Sequence, residues 1–212
     1  YSSAASDVYK RQNEEFDRKK GKGYGEALIL EYALEHSLFV HQCDFLVKIT
    51  GRLKLLNVNS MIGFHRYILP HCDIQSEMDR RERYSDSRML ITGKGFLQYS
   101  FLARKERIDD SKGCNFEHIL FTSIDEQKDF VFYPFLIRPL WRGISGTNGR
   151  EYWEGNYTSL KLAYFKRMLN CMTEYNMCHP HNKPSMGVRL VLGMAGMAVG
   201  TVLRFFDWIK NE

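Results

Sequence analysis

Over residues 24–51 a helical repeat gives way to a strand-like run, and this switch constrains the fold more than any other feature of the chain. Leu28, Ile29, Tyr32, Ala33 and Leu34 recur near the ~3.6-residue helical period, with Glu31 and Glu35 on another face. That spacing predicts a helix over Tyr24–Ser37. Phe45–Thr50, FLVKIT, follows as a short apolar run closed by Gly51, the pattern of a buried strand. The alternation continues. Met89–Thr92 and Phe130–Ile137, the latter ended by Pro139, read as strands; Gly95–Arg104, Phe116–Ile124 and Thr158–Tyr175 read as helices. Helices alternating with short apolar strands select an α/β fold over an all-α or all-β one. Residues 13–23 are polar and glycine-punctuated, and residues 142–156 hold four Gly; both are expected to be loops.

Composition supplies the core and excludes several classes. The 212 residues are 44% hydrophobic and 26% charged, with 14 Phe, 12 Tyr and 3 Trp. This is neither a disordered tail, a collagen-like fibre nor a polytopic membrane protein. Thirty basic residues face 25 acidic ones, a net +5 that suits anionic ligands. The charge is too modest and too dispersed for a nucleic-acid-binding module. Five irregularly spaced Cys argue against a disulfide framework and for a reducing compartment. Residues 2–12, SSAASDVYKRQ, match residue for residue the frame translation of a transposase-type sequencing adapter, so residues 1–12 are expected to be non-native. Without them 28 basic and 24 acidic residues remain, a charge of +4. The natural reading frame is then expected to begin near Asn13, at a break that leaves the N-terminal sequence missing. Residues 13–175 form the main α/β region, 176–186 a Pro/His-containing linker and 187–212 a C-terminal apolar helix.

Several segments carry chemistry. Gly21-Lys22-Gly23-Tyr24-Gly25-Glu26 is a glycine-rich turn opening a helix. Its free N–H groups and dipole end suit a phosphate, with Lys22 as an added charge, but the pattern alone favours an ordinary capped helix start. Lys48-Ile49-Thr50-Gly51-Arg52 ends the first strand. Ligands in open α/β sheets bind beyond the carboxyl ends of strands, and a lysine inside an apolar run is costly without a partner. Arg52 suits bidentate contact with a phosphate or carboxylate, or a solvated basic turn. Asp86 and Arg88, in YSDSR before the strand MLIT, suit a sugar or metal site or a simple ion pair. Glu117-His118 offers a general base at a helix start, or a structural pair. The loop GISGTNG brings Ser145 and Thr147 close to any ligand the backbone approaches. Cys171, Cys178, His179 and His181 miss the zinc spacing, so no metal site is assigned.

The last helix has only 14 residues between Arg189 and Arg204. That is short of the ~20 needed to span a bilayer. Gly196 and Gly200 permit close helix packing, and Phe205, Phe206 and Trp208 beside Arg204 and Lys210 suit an interfacial anchor. Residues 187–210 are therefore expected to touch a membrane peripherally or to dock on protein.

Taken in order, KGxGE opening a helix, a strand reading KITGR, a D-S-R strand start, an acidic helix start and GISGTNGREY resemble a family of bacterial sugar transferases. These are the GT-A-like glycosyltransferases that build lipopolysaccharide and capsular polysaccharide, and the likeness covers about residues 20–157. It implies a GT-A-like, Rossmann-like nucleotide-sugar transferase core, N-terminally truncated, with residues 13–175 as a partial catalytic domain. It implies transfer of a sugar from a nucleotide-sugar donor to a cell-surface glycan acceptor, on the cytoplasmic face of the cell envelope. Carried onto this chain, Lys22 and Glu26 flank the donor; Lys48, Thr50 and Arg52 stand where many such enzymes carry Asp-x-Asp; Asp86 and Arg88 line the sugar pocket. Glu117 becomes the base for the acceptor hydroxyl, and Ser145 and Thr147 lie in the acceptor or lid loop. KITGR in place of Asp-x-Asp leaves divalent-metal dependence open, because Lys48 and Arg52 are themselves able to offset diphosphate charge. The rival reading is a non-catalytic envelope assembly protein tethered through its last helix. It predicts that the charged residues do not converge.

Overall fold

A computed structural model describes residues 18–51, 53–144, 149, 151–153 and 168. After a 3₁₀ turn, Arg18–Lys20, come helices α1 (Lys22–His36) and α2 (Leu38–Gln42) and strands β1 (Leu46–Ile49) and β2 (Leu53–Leu55). Helix α3 (Val58–Ile68) precedes β3 (Ile74–Ser76), β4 (Met78–Asp79), β5 (Tyr84–Ser85) and β6 (Met89–Thr92). A π-helical turn, Phe96–Phe101, then runs into 3₁₀ turns Leu102–Arg107 and Asp110–Lys112, followed by helix α4 (Phe116–Asp125). The last described strands are β7 (Phe132–Pro134), β8 (Trp141–Ile144) and β9 (Glu151–Trp153). The fold is mixed α/β. The expected helix over Thr158–Tyr175, the 176–186 linker and the 187–212 helix lie outside the described residues. Among the described residues no helix is long and apolar enough to cross a membrane.

The chain divides into two compact units. The first joins the residues up to Thr50 with Cys72–Phe132; the second joins Gly51–His71 with the residues from Tyr133.

In the first unit, strands β1, β6 and β3 form a sheet in that order. Strand β6 is central and pairs antiparallel with β1, Leu46 opposite Thr92 and Ile49 opposite Met89, and antiparallel with β3. All four β6 residues are buried, as the continuous apolar run MLIT requires. The expectation of a buried strand at FLVKIT is corrected here. Among the described residues strand β1 is an edge with a single neighbour, and it is half-covered with Ile49 exposed. Phe96, Phe101, Phe116 and Phe121 fill the core, with Phe101 and Phe116 ring centroids 4.6 Å apart. Helix α4 is capped by Asn115, whose Oδ1 accepts the His118 N–H at 3.0 Å. Its periodic apolar residues Phe116, Ile119, Leu120 and Ile124 are all buried.

Helix α1 is seated differently from its pattern. The apolar residues Leu28, Ile29, Tyr32, Ala33 and Leu34 are only partly covered, and the fully buried positions are Gly23, Gly25 and Ala27. Small residues win because the neighbouring backbone comes so close. A Cβ on Gly23 would meet the Phe116 nitrogen at 3.0 Å and Asp110 Oδ1 at 2.9 Å. Gly21 takes φ +88°, open to glycine at little cost. Further along, the Asp109 carboxylate closes the turn Asp110–Lys112. Hydrogen bonds from the Ser111 hydroxyl (2.6 Å) and the Lys112 ammonium (2.9 Å) draw its pKa down from 3.8 to about 2.

The second unit contains the sheet β2-β8-β9. Residues 142–156, expected to be a loop, include most of a hairpin: Arg142, Gly143 and Ile144 face Trp153, Tyr152 and Glu151. Strand β8 is the central strand, held between β2 and β9 despite its glycine, with Trp141 buried and Arg142 and Ile144 exposed. Asn57 ties this unit together by donating from Nδ2 to the Arg138 carbonyl (2.8 Å) and accepting the Leu140 N–H (3.0 Å).

Gly23→Ala is expected to cost about 1–3 kcal/mol by overpacking. Gly63→Ala, in the open interior of α3 with nothing within 4 Å, is expected to gain about 0.5–1 kcal/mol. Urea unfolding of both variants reads the opposite signs.

Candidate functional site

Strand β1 delivers Lys48 beneath α1, toward the segment that leads into β6. Burying an ammonium on an apolar strand demands partners, and three surround it. The Glu26 carboxylate on α1 forms an ion pair with Nζ, the Ser87 carbonyl accepts a hydrogen bond from it, and the Phe116 ring lies with its centroid 5.3 Å away. The Lys48 side chain is left 9% exposed, against 35% for Glu26, so its charge is compensated almost wholly by protein.

Ser87 turns this pair into a network. Its hydroxyl donates to Glu117 Oε1 at 2.6 Å, from the first turn of α4. One residue thus binds the lysine through its carbonyl and the glutamate through its side chain. On either side of it, Asp86 and Arg88 close on each other. Arg88 Nε donates to both Asp86 oxygens, at 3.0 and 2.8 Å, Nη2 pairs with Oδ2, and the Arg88 N–H donates to Oδ1 at 2.8 Å. The backbone holds the segment at both ends: Asp86 N–H donates to the Glu77 carbonyl (2.7 Å), and Thr50 N–H to the Arg88 carbonyl (2.9 Å).

Of the residues singled out in the sequence, Glu26, Lys48 and Glu117 are therefore linked through Ser87 within the first unit, Asp86 and Arg88 pair with each other on either side of that serine, and Thr50 meets Arg88 through the backbone. Lys22 stands apart: it is exposed, and the helix terminus beside it is already occupied. Asp110 Oδ2 accepts the Gly23 N–H at 3.1 Å, so a carboxylate of this chain sits where a phosphate was weighed. Arg52, Ser145 and Thr147 lie outside the described residues. His118 stands edge-on to Tyr84, centroids 6.3 Å apart, and its Nδ1 is buried without a hydrogen bond among the described residues.

Two participants, Ser87 and Asp110, were not picked out as site residues. Ser87 was visible only as the residue between Asp86 and Arg88, and Asp110 as one of a DDSKG run, 87 residues from the helix terminus it meets.

The cluster sets three carboxylates against two cations. Both cations are already paired, so an incoming anion must take a cation from its carboxylate, while a hydroxyl-bearing ligand meets acceptors directly. Among the described residues no group of three or more His, Cys, Asp or Glu side chains is arranged to hold a metal ion. Compared with protein-family models, curated proteins and solved structures, the chain gives no match.

Ser87→Ala is expected to lower stability by about 1–2 kcal/mol, because Glu117 loses a partner in a half-buried setting. In the Glu117→Gln background the same change costs measurably less, and urea unfolding of the four proteins reads the difference.

Proposed function

We propose that this chain carries part of a GT-A-like glycosyltransferase that moves a sugar from a nucleotide-sugar donor to a glycan acceptor of the cell envelope. The observation that supports the reading is the linking of Glu26, Lys48 and Glu117 through Ser87, with the Asp86–Arg88 ion pair on the residues flanking that serine.

In this reading Lys48 and Arg88 meet the diphosphate of the donor. Arg88 offers a planar fork suited to two phosphate oxygens, and Lys48 a point charge. As the glycosidic bond to the diphosphate breaks, negative charge grows on the leaving oxygen, and fixed cations stabilise that charge more than they stabilise the intact donor. Their present partners, Glu26 and Asp86, keep the cations in position until the donor arrives. Glu117 takes the proton of the acceptor hydroxyl as that oxygen attacks the anomeric carbon, and Ser87 fixes which carboxylate oxygen faces it. Residues 187–210 bring the protein to the membrane surface in the same proposal. A divalent ion bridging the donor phosphates would supply further charge, so the assay is run with and without EDTA.

The protein is expected to release nucleoside diphosphate from at least one of a panel of nucleotide sugars. Glu117→Ala is expected to lower the rate by about 10²–10⁴-fold, and Arg88→Ala to raise KM as well. A folded protein that neither binds nor turns over any donor overturns the proposal in favour of the assembly-protein reading.

A further inference from the structure

In the sheet β2-β8-β9 of the second unit, side chains alternate between a buried and an exposed face, and residues directly opposite each other in an antiparallel pair share a face. Leu55 opposes Trp141, and both are buried. Lys54, one residue earlier, therefore opposes Arg142 on the outer face, and both are exposed. The ladder runs on past β2, where the Leu56 N–H donates to the Leu140 carbonyl at 2.8 Å. Leu56 and Ile144 thus stand on the same outer face, two residues from Lys54 and Arg142 respectively, and are 52% and 63% exposed. This arrangement costs the fold stability. Like charges directly opposite each other, with Cβ atoms about 4.5–5.5 Å apart, destabilise a sheet. Large aliphatic side chains left in water forgo the burial that stabilises folding. Among the described residues of the three strands the only carboxylate is that of Glu151, opposite Ile144, so the face stays net positive.

We infer that this face rests on the surface of an anionic lipid bilayer. Phosphodiester headgroups beside Lys54 and Arg142 offset their mutual repulsion, and the acyl boundary just beneath the headgroups receives Leu56 and Ile144. A bilayer interface offers negative charge and apolar depth within one thin layer, and that combination is what the face presents. A nucleic acid or a polar acidic polypeptide answers the two charges but leaves the aliphatic side chains in water. The long stems of Lys54 and Arg142 let their charged ends stay at headgroup level while the neighbouring apolar groups sink deeper. The surface uses none of the residues of the Lys48 network and none of residues 187–210, so it stands or falls apart from the transferase reading.

Flotation of the 212-residue chain with vesicles of phosphatidylcholine alone, and of phosphatidylcholine with one third phosphatidylglycerol, tests it. The chain is expected to float with the mixed vesicles and not with phosphatidylcholine alone, and to be released as the salt concentration rises. Lys54→Glu and Ile144→Ser are each expected to cut the bound fraction at least about fivefold. Lys54→Glu also sets opposite charges across the strands, so its urea midpoint is expected to rise, and loss of binding then accompanies a firmer fold. Lys128→Glu, the same charge change at an exposed position of the first unit, is expected to retain most of the binding. No flotation with the mixed vesicles overturns the inference, as does equal flotation with phosphatidylcholine alone, binding that either Lys54→Glu or Ile144→Ser retains, or a loss that Lys128→Glu matches. A urea midpoint lowered by Lys54→Glu removes the like-charge premise and overturns it as well. Binding of poly-L-glutamate without flotation assigns the face to an acidic protein instead.

Discussion

A lysine ammonium under a helix is the point on which the first unit turns. Lys48 is the only charged residue of its strand, and the fold leaves it 9% exposed. Water no longer stabilises its charge, so protein must. Glu26 answers from α1, the Ser87 carbonyl from the approach to β6, and the Phe116 ring from the start of α4. Remove the ammonium and three separate elements lose their common partner. A buried pair of this kind adds little net stability over an apolar substitute, but breaking it from one side is costly. Its value lies in fixing where α1 stands relative to the sheet.

The rest of α1 follows from that placement. Drawn down onto the unit, the helix brings its first turn so close to Asp110 and Phe116 that only glycine fits at position 23. The Asp110 carboxylate accepts a free N–H at the helix terminus, and Lys20, Tyr24 and Glu31 reach Glu106 and Lys105. Burial is the leading cause of the raised Tyr24 pKa, with the bond to Glu106 next, so the phenol stays a donor. The glycine-rich start of the chain is thus explained first by packing. The chemistry proposed for the site depends on the same geometry, because the two cations are held ready by carboxylates that an anionic donor must displace.

Much of this was legible in the sequence where a pattern was dense. Helix α4 and strand β6 came out close to their full extent because every apolar position in them is buried. The lysine inside FLVKIT announced that it needed a partner, and Asp86 and Arg88 were visible as a pair. Helix α3 carried little signal: only Met61 and His65 are buried along it, a stripe too narrow to stand out. Strands β2 and β3 have three residues each, too few for a period. The glycines of residues 142–156 masked the β8–β9 hairpin, whose strands are made by pairing rather than by propensity. Ser87 and Asp110 escaped notice because their roles depend on contacts 30 and 87 residues away.

The central claim is that Lys48 and Glu26 act as one coupled unit joining helix to sheet. A double-mutant cycle with Glu26→Gln, Lys48→Met and the double variant, read by urea unfolding, measures that coupling directly. The account predicts a coupling of at least about 1 kcal/mol, with Lys48→Met in the wild-type background costlier than in the Glu26→Gln background. Effects that add to within about 0.3 kcal/mol would contradict it.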